Sequence, residues 1–454
     1  MSATPARVSA CVAGALLLLS AMAAASAAHA QQTRDGPAPP DVRVQSDTVM
    51  RWTSRYSLTV ESSTTSTSTQ YWRRIDQLPL YTRLSLDATH LAGDHVDVHI
   101  GAWAGLDIRL PDDPAPVAGD FGVAWAEGRL GPFSVWGGRR FVAWGPPGGL
   151  HVDGGGLTFR LPSGFGAELM VGRPVTPSHE SAVGAQMAFE GPTGAAGARA
   201  MYADPGKLAL SLSYVQRWAE GILADRTLGF DGTWAPHPLV DVRGNVAVDL
   251  AGVGVEQAGA DVLIVASREL LLDVAYAHVD PRRLLPSWSI LSGFASSLYE
   301  EGAVGATWRA LPSLSLRTEL ALRVYHVPGG QIDDDPDVGY RADAVARYAP
   351  HAAGGTQLLA RLSRRDDGTL GYTLLTITGA WRLRPIDFTA ELAGAIDDER
   401  ERDTALARLS VEVPISANLR VGGTFDAART AVAESELRGL IRVSYAVPAE
   451  SRRP

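Results

Sequence analysis

Arginine and carboxylate side chains recur at every second position in many segments of this sequence. In 313–325 (SLSLRTELALRVY), Arg317, Glu319 and Arg323 alternate with leucine and valine, and the charges of 340–348 alternate with alanine. Ladders of both signs can order water and hydrated solutes, or they can pair with one another across neighbouring strands. The spacing therefore predicts a water-facing wall, with mutual pairing of the charges as the alternative.

Residue patterns typical of enzymes are missing from the sequence. It contains no G-x-S-x-G elbow, H-E-x-x-H helix, phosphate-binding loop or dinucleotide fingerprint. His95, Asp97 and His99 share one strand face, but they could hold a metal ion only with help from a neighbouring strand. Plain lining of a polar wall is the simpler interpretation. We predict that the protein is not an enzyme and needs no cofactor or metal, and a net charge of −9 predicts no nucleic-acid partner.

The charge ladders belong to a chain-wide pattern of period two. From about residue 48 to residue 445, segments of roughly ten residues alternate polar and apolar side chains between clusters of Gly, Pro, Asp or Asn. The segments 95–107, 386–397 and 418–427 are further examples. Strict alternation of this length predicts strands with one apolar and one polar face. No segment beyond the first thirty residues has a helical period of comparable length.

Both a soluble sandwich and a transmembrane barrel would show this alternation. The barrel also predicts many strands of nine to eleven residues and aromatic side chains at strand ends. Trp218, Trp234, Trp308 and Trp381 do fall at segment ends, and the alanine face of 340–348 suits lipid better than a soluble core. The predicted fold class is all-β, a single antiparallel transmembrane β-barrel.

The number of strands follows from counting segments. The sequence offers 23 candidates, whereas single-chain bacterial barrels have an even number, so we predict about 22 strands within a range of 18–24. Short connections such as Arg384-Pro385 alternate with long ones such as 280–297, as periplasmic turns alternate with extracellular loops. The alternation loses its phase somewhere between residues 190 and 270.

The N-terminus has the features of a secretory signal peptide over residues 1–30. Arg7 precedes the apolar run 11–22, and Ala28-His29-Ala30 forms a small-x-small cleavage site. The only cysteine, Cys11, would leave with this peptide, so no disulfide is expected. The predicted remainder is a short flexible segment (31–47), the barrel (48–446) and a C-terminal tail (447–454).

We expect the mature chain to begin at Gln31, because cleavage should follow Ala30. N-terminal sequencing of the membrane-extracted protein tests this prediction. A chain that still carries Met1 or Ser2 would contradict it.

The last strand carries the strongest single motif. Leu437, Gly439, Ile441, Val443 and Tyr445 alternate on one face and end in an aromatic residue. The segment resembles the C-terminal signature of outer-membrane barrels, although nine residues follow the aromatic here. The resemblance implies recognition by the barrel-assembly machinery during biogenesis.

A second resemblance covers about 25 of the 454 residues, over 137–161. Gly138-Arg139-Arg140, a glycine-rich loop and Asp153-Gly154 resemble the Gly-Arg-Gln strand, loop and Asp-Gly of alginate-export-type outer-membrane porins. The second arginine departs from that pattern. The resemblance implies that Arg139 or Arg140 projects into a lumen. The alternative is a structural Arg–Asp pair that closes a hairpin.

The connection 281–299 is unusual because apolar residues recur in it at three- and four-residue spacing. This spacing predicts a short helix on the rim of the barrel. The alternative is a loop that folds inward and narrows the pore.

The function expected from this pattern is a porin-like channel in the outer membrane of a Gram-negative bacterium, for passive diffusion of small hydrophilic solutes. The alternatives are a polysaccharide-export conduit with a periplasmic partner, and a non-conducting structural or adhesive barrel. Expected partners are outer-membrane lipid, the assembly machinery and the solutes, and a homo-oligomer is compatible with the sequence. The candidate pore-lining residues are Arg139, Arg140, Asp153, Arg243, Asp249, Arg317, Glu319, Arg323, Arg341, Asp343, Arg347, Asp387, Glu391, Arg408, Glu412 and Arg420.

Overall fold

The fold was analysed in a computed structural model of the chain. The structure describes residues 41–62, 68–107, 117–175, 193–219, 221–281, 298–326, 338–350, 355–366, 371–398, 403–430 and 433–447. The predicted signal peptide, most of the 281–299 connection and the C-terminal tail beyond Val447 lie outside these residues. Among the described helices, none has both the length and the apolar character needed to cross a membrane.

Alternating sequence segments form β-strands throughout the described chain. The first twelve are β1 (Asp41–Ser62), β2 (Ser68–Gln77), β3 (Pro79–His90), β4 (Val96–Asp107), β5 (Val117–Leu130), β6 (Phe133–Ala143), β7 (Gly149–Arg160), β8 (Phe165–Val175), β9 (Gly194–Asp204), β10 (Leu208–Ala219), β11 (Ile222–His237) and β12 (Val240–Asp249). The others are β13 (Gly254–Val265), β14 (Leu270–Val279), β15 (Leu298–Leu311), β16 (Leu314–His326), β17 (Val338–Tyr348), β18 (Gln357–Asp366), β19 (Gly371–Leu383), β20 (Ile386–Asp397), β21 (Thr404–Pro414), β22 (Leu419–Thr430) and β23 (Ala433–Val447). One short helix, α1 (Leu91–Asp94), joins β3 to β4.

These strands form one closed antiparallel barrel. β1 pairs with both β2 and β3, each strand from β3 onward pairs with the next strand in the sequence, and β23 closes the sheet by pairing with β1. β2 and β3 are one continuous strand of the barrel, interrupted only at Leu78, because both pair with β1 in a single register. The 23 segments therefore make a 22-stranded barrel, which confirms the predicted number. Closure removes the two free edges that an open sheet would have.

The two ends of the barrel differ in the length of their connections. One end, here called the turn end, carries short turns such as 131–132 and 312–313. The beginning of β1 and the end of β23 also lie at this end. The other, here called the loop end, carries the long connections 176–193, 280–297 and 327–337. This is the asymmetry between periplasmic turns and extracellular loops.

Two details of the barrel differ from the sequence-based expectation. β1 begins at Asp41 rather than near residue 48, because residues 41–47 pair with β3 and, from Val44, with β23. No phase break occurs between residues 190 and 270. There the loop-end connections 220–221 and 250–253 are as short as turns, so length alone does not distinguish the two ends.

The outer face of the barrel is apolar and exposed. Leu320 on β16 pairs with Val304 on β15 and Ala342 on β17, and Leu320 and Val304 are 50% and 55% exposed. Trp308 and Trp381 are also exposed and lie within three residues of the turn-end limits of their strands. A lipid-facing band bordered by interfacial aromatic residues accounts for this exposure.

Candidate functional site

The opposite face of the sheet carries the charge ladders, and on β15–β17 they form a connected network. Glu301 on β15 accepts hydrogen bonds from Arg323 on β16 (2.6 Å) and Arg341 on β17 (3.1 Å). Arg341 also lies 2.6 Å from Glu319 and 3.0 Å from Asp343. The structure thus brings together four of the predicted residues, and Glu301, which was not predicted, is the carboxylate that joins two of them.

A second network follows β20–β22. The Arg408 guanidinium donates to Asp426 (2.8 Å) and to Glu391 (3.3 Å), and that of Arg420 donates to Glu412 (2.9 Å). Each of these pairs joins adjacent strands on the same face, so opposite charges are neighbours. The remaining predicted residues of this face lie outside the two networks or at their borders. Arg317 is bonded to Glu319, Arg347 to Gln357, Asp387 to Arg382, Arg243 to Asp241, and Asp249 to the amides of the 250–253 turn.

One arc of the polar face is acidic. The face of β11–β14 carries a single arginine, Arg243, and seven carboxylates. They are Asp225, Asp231, Asp241, Asp249, Glu256, Asp261 and Asp273. Arg217 on β10 pairs with one of them, Asp225, at 2.8 Å, and Arg199 on β9 lies 3.8 Å from Asp231.

The arc on the other side of the barrel is basic. The seams β12–β13 and β23–β1 are opposite each other, because eleven strands separate them in either direction around the closed barrel. Around the second seam, on β22, β23, β1 and β3, the described side chains of the polar face include six arginines and four carboxylates. The arginines are Arg43, Arg51, Arg83, Arg420, Arg438 and Arg442, and the carboxylates are Asp47, Asp87, Asp426 and Glu436.

Arg139 and Arg140 on β6 point to opposite faces of the sheet. Arg140 lies on the polar face, where its guanidinium stacks 4.3 Å from the Trp125 ring centre and donates to Glu127. Arg139 lies on the outer face and forms two hydrogen bonds, of 2.7 and 2.9 Å, with Asp153 on β7. The prediction that Arg139 and Asp153 line the lumen is therefore wrong. The strand register places both side chains on the outer face, together with the exposed side chain of Phe141. The alternative prediction, an Arg–Asp pair within a hairpin, describes them.

The connection between β6 and β7, residues 144–148, folds inward and is here called the hairpin tip. It has the sequence Trp-Gly-Pro-Pro-Gly, and the Gly148 amide donates to the Gly145 carbonyl (2.9 Å) with both glycines at positive φ. The Pro146 and Pro147 carbonyls accept hydrogen bonds from Gln257 on β13 and Arg217 on β10. Proline fixes its own φ, so the tip is a rigid element, and it is anchored to the inner wall at β10 and β13.

An apolar cluster fills the space between the hairpin tip and the wall. Trp144 is 4% exposed and lies against Gly197 on β9, where a Cβ atom would overlap its ring. Trp136, Val152, Met170 and Val215, all on the inner face, complete the buried cluster. The hairpin tip therefore occupies part of the barrel interior near the loop end, and the bore is correspondingly narrower.

The histidines and carboxylates of β3 and β4 do not form a metal site. His99 Nδ1 lies 2.6 Å from Asp87, and its ring stacks on Trp125 at 4.2 Å. Asp97 is bonded to Arg129. Within the part of the chain that the structure describes, no group of three or more His, Cys, Asp or Glu residues could hold a metal ion.

At the loop end, one ion pair joins β18 to the residue that follows β20. Arg364 near the end of β18 donates two hydrogen bonds of 2.6 Å to Asp398, which follows β20. These bonds hold the pKa of Asp398 below its ordinary value, because the guanidinium stabilises the ionised carboxylate. The contact ties the loop-end edges of β18 and β20 together across β19.

A closed, even-stranded antiparallel barrel with a polar inner face and an apolar outer face has the architecture of a transmembrane β-barrel. No family model and no curated protein matches the chain. Among solved structures, it is similar to the ferric enterobactin receptor PfeA of Pseudomonas aeruginosa, with a TM-score of 0.53, 9% identity and coverage of 92% of this chain and 82% of that one.

Two further solved structures match over most of their length with lower scores. Pseudomonas aeruginosa OccK11 (OpdR) is 14% identical with a TM-score of 0.41, over 89% of this chain and 96% of that one. The P pilus usher (PapC) translocation pore is 9% identical with a TM-score of 0.45, over 90% and 100%. The PfeA comparison establishes likeness of fold alone.

The inward-folded connection was not predicted at residues 144–148. The sequence-based alternative of an inward loop referred to 281–299, most of which lies outside the described residues. The Trp-Gly-Pro-Pro-Gly sequence was the available signal, since two prolines between glycines favour a tight rigid turn. Nothing local in that sequence indicates the direction in which the hairpin bends.

Proposed function

We propose that the protein is a channel in the outer membrane of a Gram-negative bacterium, through which small hydrophilic solutes diffuse passively. The observation that carries the proposal is the closed 22-stranded barrel whose polar face turns inward. A barrel of this size encloses more space than inward side chains fill. The polar residues named above, including Arg140 but not Arg139 or Asp153, would line the bore.

The distribution of charge supports a channel that acts on polar solutes. The acidic arc of β11–β14 faces the basic arc around β23–β1 across the bore, so the two create an electric field perpendicular to the path of the solute. Such a field orients water and dipolar solutes and disfavours apolar ones, which cannot compensate for the loss of ordered water.

The basic arc also has a recess large enough for part of a solute. It has a volume of about 650 Å³ and is lined by Arg83, Arg420 and Arg442 together with Asp47 and Glu412. Gly422 forms part of the floor. Arg442 is paired with Asp47 at 3.0 Å and Arg420 with Glu412 at 2.9 Å, so the recess is polar without a large net charge.

The hairpin tip favours small solutes over a polymer. Its anchors to Arg217 and Gln257 hold it against the inner wall, so it narrows the bore on one side near the loop end. A conduit for exported polysaccharide would need this space to be free.

Neutralising one charge in the acidic arc and neutralising one in the basic arc should shift the ion selectivity, measured in planar bilayers, in opposite directions. Asp261→Asn should shift the reversal potential toward anions, and Arg420→Gln should shift it toward cations, because each removes one sign of charge from the bore. Both shifts should shrink at high salt, as the Debye length falls from about 10 Å at 0.1 M to about 3 Å at 1 M.

Lys207→Gln is the control for these variants, because Lys207 lies in the turn between β9 and β10 and is 76% exposed there. It should leave the reversal potential nearly unchanged. A folded barrel that never conducts would overturn the channel proposal. Equal shifts from all three variants would overturn the assignment of the arcs to the bore.

A further inference from the structure

The barrel wall is incompletely paired between β5 and β6. β5 and β6 share the shortest ladder of the described barrel, seven residue pairs that end at Ala124–Arg139. Beyond it, residues 117–123 of β5 pair only with β4, and residues 140–143 of β6 pair only with β7. This break is here called the β5–β6 cleft. It opens toward the loop end because the hairpin bends inward to place its tip against the inner wall at β10 and β13.

Arg139 bridges the base of the cleft. Its guanidinium donates to the Phe121 carbonyl (2.7 Å) and to Asp120 (2.8 Å) on β5, while it is also bonded to Asp153 on β7. A side chain thus replaces the backbone ladder at this point. Two carboxylates and a backbone carbonyl satisfy the guanidinium, which can therefore lie at an outer face that is otherwise apolar.

Apolar side chains lie on both sides of the cleft. Phe121 on β5 and Phe141 on β6 are 55% and 50% exposed on the outer face. On the inner side, Val142 and Leu150 pack against the buried apolar cluster beneath the hairpin tip. An apolar surface therefore extends from the outside of the barrel toward its interior.

We propose that the β5–β6 cleft is a lateral portal, which admits the acyl chain of a membrane lipid between Phe121 and Phe141 to the apolar cluster, with Arg139 as its clasp. The occupant is a lipid chain because the cleft faces the membrane on the same outer surface as the exposed leucines. The bonds of Arg139 already satisfy its charge, so the clasp offers no site for an ionic headgroup. This inference rests on the membrane location given under the proposed function, but it does not require the channel to conduct.

Photo-crosslinking can detect lipid at the inner side of the cleft. A benzophenone amino acid replaces Val142 or, separately, Leu150 in protein reconstituted in phosphatidylethanolamine–phosphatidylglycerol vesicles, and lipid adducts are measured by mass spectrometry. Leu320 on the outer face is the positive control. Leu359, an exposed leucine on the polar face of the fully paired strand β18, is the negative control.

The expected result is lipid adducts at 142 and 150 several-fold above those at 359, and a further increase with Arg139→Gln, which removes the clasp. Bridging Phe121→Cys and Phe141→Cys with a bismaleimide should abolish the inner adducts without abolishing ion conductance. Inner adducts no higher than at 359, in protein that is folded and labelled at 320, would overturn the portal. Loss of conductance alone would contradict the channel and leave the portal standing.

Discussion

Leu320→Arg is expected to lower the free energy of unfolding by roughly 2–4 kcal/mol, as arginine does at the lipid-facing midplane of outer-membrane barrels. Leu320 lies near the middle of β16 and is half exposed on the outer face between Val304 and Ala342. The new charge would have to be buried in hydrocarbon or to reach the interface at the cost of local distortion. Equilibrium unfolding in lipid vesicles, followed by tryptophan fluorescence, measures the change.

Leu359→Arg is the matched control, because it places the same change on the polar face of β18. The cost there should be a small fraction of that at Leu320, since the new guanidinium remains in water. Glu319→Arg would be a poor control, because Glu319 is within 3.0 Å of Arg317 and 2.6 Å of Arg341. Equal destabilisation by the two Leu→Arg variants would show that the faces are wrongly assigned.

Trp144→Ala is expected to release the hairpin tip and to raise single-channel conductance. Trp144 is buried between the tip and Gly197, and removal of a buried tryptophan side chain costs roughly 3–5 kcal/mol. If most of that free energy is lost from the docked state of the tip, the equilibrium constant for docking falls by more than about a hundredfold. The bore near the loop end should then be wider and its current noisier.

Two further variants make this result specific. Gly197→Val should have the same effect, because a side chain at position 197 would overlap the Trp144 ring in its present position. Trp308→Ala removes a tryptophan from the exposed outer face and should leave conductance unchanged. Conductance equal to wild type in both Trp144→Ala and Gly197→Val would mean that the hairpin tip does not narrow the bore.

The hairpin tip and the β5–β6 cleft have one structural origin. The residues of β6 that leave β5, 140–143, lead directly into the tip, so inward docking of the tip and opening of the wall occur together. Variants that release the tip should therefore also allow β6 to approach β5. Measurements of conductance and of lipid adducts on the same variants connect the two proposals.

The sequence alone determined the class of fold and the faces of most strands. Side chains of a strand alternate with a period of two, which is a local property, so the pattern in segments such as 313–325 identifies both the strand and its apolar face. The same reasoning placed Leu437, Ile441 and Tyr445 on the outer face, where the structure has them. A count of 23 candidate segments and the even strand number of bacterial single-chain barrels were sufficient to choose 22 strands.

Features that depend on contacts between distant residues can be seen only in the three-dimensional structure. Arg139 and Arg140 could not be assigned to faces from sequence because aromatic side chains occur on both sides of β6. The inner ones, such as Trp136, are explained by packing against Val215 and the rest of the cluster beneath the tip. The direction of the hairpin depends on Gln257, more than a hundred residues away. Such contacts join residues of distant strands. The alternation of polar and apolar residues looks the same in all of these strands, so it does not show which strands are in contact.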